Sequence, residues 1–163
     1  MLELVLRTEP RVEDIESIRE IVVSTGFFYD YEIPVAVELI QERIERGVAS
    51  DYFFIFADYG GRTISYACFG PIACTKGSFD LYWIATHNDF RGKGIGKKVL
   101  DAAEMEIGKM GGRGIYIETS SKPLYKPTQE FYEKCGYTVN AILKDFYDVN
   151  DDKIIFTKFL DIL

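Results

Sequence analysis

Histidine is almost missing from this chain: among 163 residues there is one, His87. The three cysteines, Cys68, Cys74 and Cys135, form no CxxC pair, so no zinc-ligand set of the usual spacing can be drawn and metal-centred hydrolysis is not expected. An odd cysteine count also argues against a disulfide framework and for a reducing, cytoplasmic setting. Positive charge is scarce as well: 19 Lys and Arg stand against 26 Asp and Glu, a formal net charge of −7. Such a balance is a poor start for gripping a nucleic-acid backbone. Long apolar runs are lacking, so no segment reads as a membrane span. The opening MLELVLRTEPRVEDIE carries charge from its third residue and lacks the basic-then-apolar order of a signal peptide. Nucleic acid, membrane and metal are therefore not expected partners.

What is present is the makeup of an ordinary globular domain, 47% hydrophobic and 28% charged. The length supports one sizeable core, and with no repeat, low-complexity tract or linker the chain reads as a single unit, residues 1–163. LELVLR (2–7) reads as a short strand. After Pro10, apolar residues at Val12, Ile15, Ile18 and Val22 have helical spacing that Gly26 ends. A second helix is predicted from about Val35 to Arg46, with Ala36, Ile40 and Ile44 on one face.

The pattern then turns to strands: YFFIFA (52–57), a turn DYGG (58–61), RTISYACF (62–69), and after TKGS a third strand, FDLYWIAT (79–86). Ile95, Val99, Ala103 and Ile107 mark another helix, closed by GGRG (111–114). IYIET (115–119) reads as a strand and PTQEFYEKC (127–135) as a short helix with Pro at its start and Gly136 beyond its end. YTVNAIL (137–143) and KIIFTKFL (153–160) read as strands, with KDFYDVNDDK (144–153) a polar loop between them. The expected fold is mixed α/β: a sheet of six or seven strands, largely antiparallel, with about four helices.

The segment with the most chemistry is Arg91-Gly92-Lys93-Gly94-Ile95-Gly96-Lys97-Lys98, between a strand and a helix. Its three glycines let backbone N–H groups turn inward together, and a helix N-terminus adds partial positive charge. Four bases fall within these eight residues, which leaves fifteen against 26 acids elsewhere. The concentrated positive patch thus sits where a phosphate would bind. The Walker pattern fails, because Lys98 stands in the Ser/Thr place, and GxGxxG fails at Lys97 and Val99. ATP and dinucleotide readings lose their support.

What remains is Arg-x-x-Gly-x-Gly after a strand, and WIATHNDFRGKGIGKKVLDAAE resembles the acetyl-CoA-binding motif of the GNAT acetyltransferases. A second segment, IYIETSSKPLYKPTQEFYEKCGY, resembles the strand–helix–strand end of the same family. Together they cover roughly residues 79–143. The resemblance implies a GNAT-like sheet splayed at a bulge and direct transfer of acetyl from acetyl-CoA to a primary amine of a small molecule or peptide. It implies that Arg91, Gly92, Lys93, Gly94, Ile95, Gly96 and Lys97 bind the cofactor pyrophosphate, and that Ile84, Ala85 and Thr86 line its pantetheine arm. Dimers are frequent in the family, so the resemblance extends to a homodimer.

Acetyl transfer needs a deprotonated amine, hence a base, and a proton or hydrogen bond for the departing thiolate. Tyr132, in FYEKCGY, stands where the family commonly places its general acid; simple aromatic packing beside Phe131 is the alternative. Glu118 is the first choice of base, on a strand where some family members carry a catalytic glutamate. Asp80 and a base acting through water stand in reserve. The family's usual asparagine before the last helix is missing from SSKPLYKPTQ, where Thr128 or Tyr125 could take its contact. For the acceptor, Phe146, Tyr147 and the aromatic stretch GFFYDYEIP (26–34) are the pocket candidates, and Asp145, Asp148, Asp151 and Asp152 are acids that could meet a cation. His87 is read as a surface residue and Cys135 as a small buried one. The competing function is a non-catalytic acyl-CoA-binding or regulatory module of the same fold.

Overall fold

The computed structural model describes residues 3–161. Leu2, part of the expected first strand, and the first and last two residues of the expected 1–163 domain lie outside the described residues. Seven strands and four α-helices follow in the order β1 (Val5–Arg7), α1 (Asp14–Thr25), α2 (Ile33–Arg46), β2 (Phe53–Tyr59), β3 (Arg62–Pro71), β4 (Ser78–Thr86), α3 (Ile95–Lys109), β5 (Gly114–Ser120), α4 (Lys126–Lys134), β6 (Thr138–Asp148) and β7 (Asp151–Phe159). The hydrogen-bonded order is β1-β2-β3-β4-β5-β7-β6. The β1–β2, β2–β3, β5–β7 and β6–β7 pairs are antiparallel, and β4 on β5 is parallel. This is the mixed, mostly antiparallel sheet that the sequence pattern led us to expect.

Local chemistry explains most boundaries. α1 stops at Gly26, which takes the left-handed conformation (φ 64°) that a side-chain-bearing residue resists. α2 begins two residues before the predicted Val35, because Pro34 suits a first helical turn. β2 and β3 turn over at Gly60 and Gly61, both with positive φ (58° and 79°), as a two-residue hairpin requires.

One expectation is corrected. The segment 144–153, read as a loop, is mostly strand: β6 runs on to Asp148, and only Val149 and Asn150 separate it from β7. The strand was hidden because the ladder is interrupted. Leu143 pairs with Lys153 and Asp148 with Asp151, so Lys144 to Tyr147 bow out opposite Asp152 alone. Asp145 takes positive φ (52°) there; its N–H donates to Asp152 Oδ1 at 2.9 Å, and its own Oδ1 accepts from the Asn150 N–H at 2.9 Å.

The chain forms two compact units. One runs through to Gly70 and takes in Leu81–Glu106; the other holds Pro71–Asp80 and the residues from Ile107 on. The first unit buries the inner faces of α1 and α2 (Ile18, Ile21, Val22, Ala36, Ile40) on Phe54, Phe56, Tyr66, Cys68 and Ala85. Beside that core, the Arg7 guanidinium reaches Asp14, Asp58 and Thr63 and lies 4.3 Å from the Phe56 ring centre. The second unit buries Ile115 and Ile117 of β5 with Tyr132, Tyr137 and Phe156, whose rings meet at centroid distances of 5.8–6.0 Å.

Candidate active site

In the first unit, β4 delivers the chain to the glycine-rich loop. Ala85 turns its side chain into the core, so only its backbone can serve a ligand. Ser65 Oγ donates to the Ala85 carbonyl at 3.0 Å and lies 2.8 Å from Thr86 Oγ1, which fixes the end of the strand. Ile84 and Thr86 are half-buried. A short 3-10 turn, Asn88–Phe90, then leads into the loop. His87 caps it, with Nδ1 accepting from the Asp89 N–H at 3.2 Å, and Ser24 Oγ at the end of α1 accepts from the Asn88 N–H at 3.0 Å.

Within the loop, Gly92 and Gly94 both take φ of 75°, and a Cβ built on either meets nothing within 4 Å. The two glycines are thus needed for backbone shape, with open space in front of them. α3 starts at Ile95, and its first i−4 bond runs from the Lys98 N–H to the Gly94 carbonyl (3.3 Å). The amides of Gly94, Ile95 and Gly96 precede that bond, at the positive end of a fifteen-residue helix. Ile95 is buried and anchors the turn, whereas Arg91, Gly92, Lys93 and Gly94 are exposed. Lys93 Nζ lies 5.7 Å from the Phe90 ring centre, and Lys97 pairs with Asp101 at 2.7 Å. An exposed, basic turn at a helix N-terminus can hold an anion.

In the second unit, the parallel ladder brings Asp80 beside Tyr116, two residues before Glu118 on the same face of β5. Asp80 is half-buried. Burial pushes its carboxyl above the ordinary range, the Glu118 charge pushes it the same way, and the Lys153 ammonium opposes both. Glu118 reaches Lys153 Nζ at 2.9 Å; half of the Glu118 side chain is exposed against 12% of Lys153. The sequence's first-choice base and its reserve therefore sit together, in the presence of a cation that sequence reasoning missed. Nothing in the local pattern marked Lys153, since only the β5–β7 register (Ser120 opposite Lys153, Glu118 opposite Ile155) turns it toward Glu118.

Tyr132 is buried on α4, 5% exposed. Its ring meets those of Phe131, Tyr137 and Phe156, and burial, then the neighbouring Cys135, push its phenol above the usual value. It keeps its proton at any working pH and has one to give. The proline-rich approach to α4 forms a 3-10 turn at Pro123–Tyr125. Gln129 Nε2 ties the helix to β5 through the Ser120 carbonyl (2.9 Å). Phe146 and Tyr147 pack edge to face, both about half-exposed. Asp145 and Asp152 are spent on the β6 bulge, and Asp151 on Ser120 and Lys122. Among the described residues no cluster of three or more His, Cys, Asp or Glu could hold a metal ion, and no helix is long and apolar enough to cross a membrane.

The sequence pattern of the acetyltransferase (GNAT) domain matches residues 50–139. A GNAT-family protein from Desulfovibrio desulfuricans is 38% identical, with 99% of this chain and 100% of that one aligned at a TM-score of 0.95. This chain belongs to the GNAT acetyltransferase family. More distant structures share the fold. An aminoglycoside 6'-N-acetyltransferase complexed with coenzyme A is 16% identical over 95% of this chain and 96% of its own, with a TM-score of 0.76. The ribosomal-protein-S18-alanine N-acetyltransferase of Escherichia coli is also 16% identical, over 99% and 96%, with a TM-score of 0.77. No curated protein sequence matches the chain. The GNAT match spans β2 to the start of β6, so it takes in the glycine-rich loop, Asp80, Glu118 and Tyr132.

Proposed function

We propose that this GNAT protein is an N-acetyltransferase that moves the acetyl group of acetyl-CoA directly to a primary amine of a small molecule or peptide. The observation that carries the reading is the loop at the start of α3. Two glycines with positive φ face open space there, beside Arg91 and Lys93, in a chain of net charge −7. Coenzyme A bound to a structural neighbour of the same fold supports it. In this reading Arg91 to Lys97 hold the pyrophosphate, and the backbone of Ile84, Ala85 and Thr86 holds the pantetheine arm.

Chemically, an alkylammonium with a pKa of roughly 10 must lose a proton before it can attack. The Asp80–Glu118 pair takes it. With Glu118 facing Lys153 and Asp80 held above the ordinary carboxylate range, the proton comes to rest on Asp80. The amine nitrogen then bonds to the thioester carbonyl carbon as the C–S bond breaks. Tyr132 supplies a proton or hydrogen bond to the leaving sulfur, and the second proton shed by the newly acylated nitrogen returns to Tyr132 or passes to the thiolate. Phe146 and Tyr147, both about half-exposed, offer apolar surface to the acceptor, and the acidic chain favours a cationic one.

Calorimetric titration with acetyl-CoA tests the reading. Micromolar binding by the native protein, lost in Gly94→Glu, followed by acetyl transfer to an amine panel, is the expected result. Binding without transfer to any amine would instead identify a non-catalytic acyl-CoA module. Absence of binding would overturn the reading altogether.

A further inference from the structure

The ammonium of Lys153 has an unusual set of neighbours for a lysine on a strand. Its Nζ lies 3.7 Å from the centre of the Phe146 ring and 5.8 Å from that of Tyr147. On its other side is Glu118 Oε2 at 2.9 Å. A lysine side chain this buried (12% exposed) usually needs a reason to forgo hydration. Here the interruption in β6 provides one. Because Lys144 to Tyr147 bow out of the ladder opposite Asp152, Phe146 and Tyr147 come over the neighbouring Lys153. The negative ring face receives the cation and the carboxylate completes its shell. The bulge is itself tied down by hydrogen bonds between Asp145, Asp152 and Asn150.

We infer that Lys153 is a positioning residue for the carboxylate pair Asp80–Glu118: clamped beneath the Phe146 ring, its ammonium orients Glu118 and supplies the counter-charge that Asp80 feels. The inference rests on the proposed acetyltransferase reading, in which that pair takes the acceptor's proton. Around the ammonium, the titratable groups on the same sheet face are Glu118 and Tyr116 on β5, Asp80 on β4, Asp151 on β7 and Tyr147 on β6. Asp151 is already engaged by Ser120 and Lys122, and burial and the Glu118 charge act on Asp80 in the direction opposite to Lys153. Removing the ammonium therefore leaves the two carboxylates to repel each other, and Asp80 must hold its proton to higher pH.

The test follows the Asp80 carboxyl by NMR titration, without substrate, in the native protein, Lys153→Met, Lys153→Arg and Phe146→Leu, beside the pH profile of kcat/KM. Met keeps the length and apolar contact of the side chain while removing its charge. The Asp80 midpoint should rise by about one pH unit in Lys153→Met and by less in Phe146→Leu. It should return toward the native value in Lys153→Arg, with the acidic limb of kcat/KM moving in step. Coincident Asp80 midpoints in the native protein and Lys153→Met would overturn the inference, as would a failure of Arg to restore what Met changes. Midpoints that move while the acidic limb stays fixed would remove the pair as the base, and with it any positioning role for Lys153. That outcome is distinct from a protein that fails to bind acetyl-CoA, which the calorimetric titration detects separately.

Discussion

At the scale of single residues, the two groups assigned a proton in the proposed reaction, Tyr132 and Asp80, are both raised by burial. Tyr132 is enclosed by rings, so Tyr132→Phe keeps the packing and removes only the hydroxyl. We expect kcat to fall roughly tenfold or more with acetyl-CoA affinity retained; an unchanged kcat in steady-state assays would strike Tyr132 from the mechanism. Asp80 is raised by burial and by Glu118. If it must be ionised to accept a proton, the acidic limb of kcat/KM should lie above the usual carboxylate value of about 4. Glu118→Gln removes the repelling charge, so that limb should move to lower pH in the same assay. An unmoved limb would separate the two carboxylates functionally. Tyr132 and Glu118 stand out in the sequence as candidates because they lie in recognisable segments, FYEKCGY and IYIET. Lys153 does not, because its meaning depends on a strand register and a bulge that no spacing rule announces.

At the scale of elements, the glycine-rich turn is the part whose shape follows most directly from composition. Gly92 and Gly94 have φ of 75°, and a side chain at either would strain the backbone while entering the open space before α3. Gly94→Glu also sets a negative charge against the pyrophosphate that the proposed function assigns to this turn. Acetyl-CoA affinity should fall at least tenfold in calorimetry while the thermal midpoint drops by only a few degrees. A variant that binds normally would show that the ligand does not touch this turn. The helices and the β2–β3 hairpin were equally readable, since period and punctuation by Gly26, Gly60, Gly61 and Pro34 agree with each other. β6 was the exception. Its charged second half, Lys144 to Asp148, imitates a loop, and its pairing resumes only at Asp148 opposite Asp151.

At the scale of the whole molecule, acid stability should be governed by the ion cluster of the first unit. Burial alone would raise the Asp58 pKa, but hydrogen bonds from Arg7 and Thr63 and the charges of Arg7 and Arg11 outweigh it and hold the carboxyl below its ordinary value. A carboxylate with a depressed folded pKa contributes stability above its unfolded pKa of about 4 and loses it as pH falls through the lower folded value. The thermal midpoint should therefore fall steeply below about pH 4, and less steeply in Asp58→Asn. Arg7→Leu should cost roughly 3 kcal/mol at neutral pH, because it strands the Asp14 carboxylate, only 2% exposed. Chemical denaturation would show whether it does. The exposed strand β6 bears on handling as well as on fold. It pairs with β7 alone at the end of the sheet order, and from Thr138 to Leu143 it carries no charge, with Val139, Ile142 and Leu143 exposed. An uncharged rim of this length invites chains to stack on one another as concentration rises. A lysine at Val139 or Ile142 would act as a gatekeeper, raising the concentration at which light scattering begins without touching the chemistry.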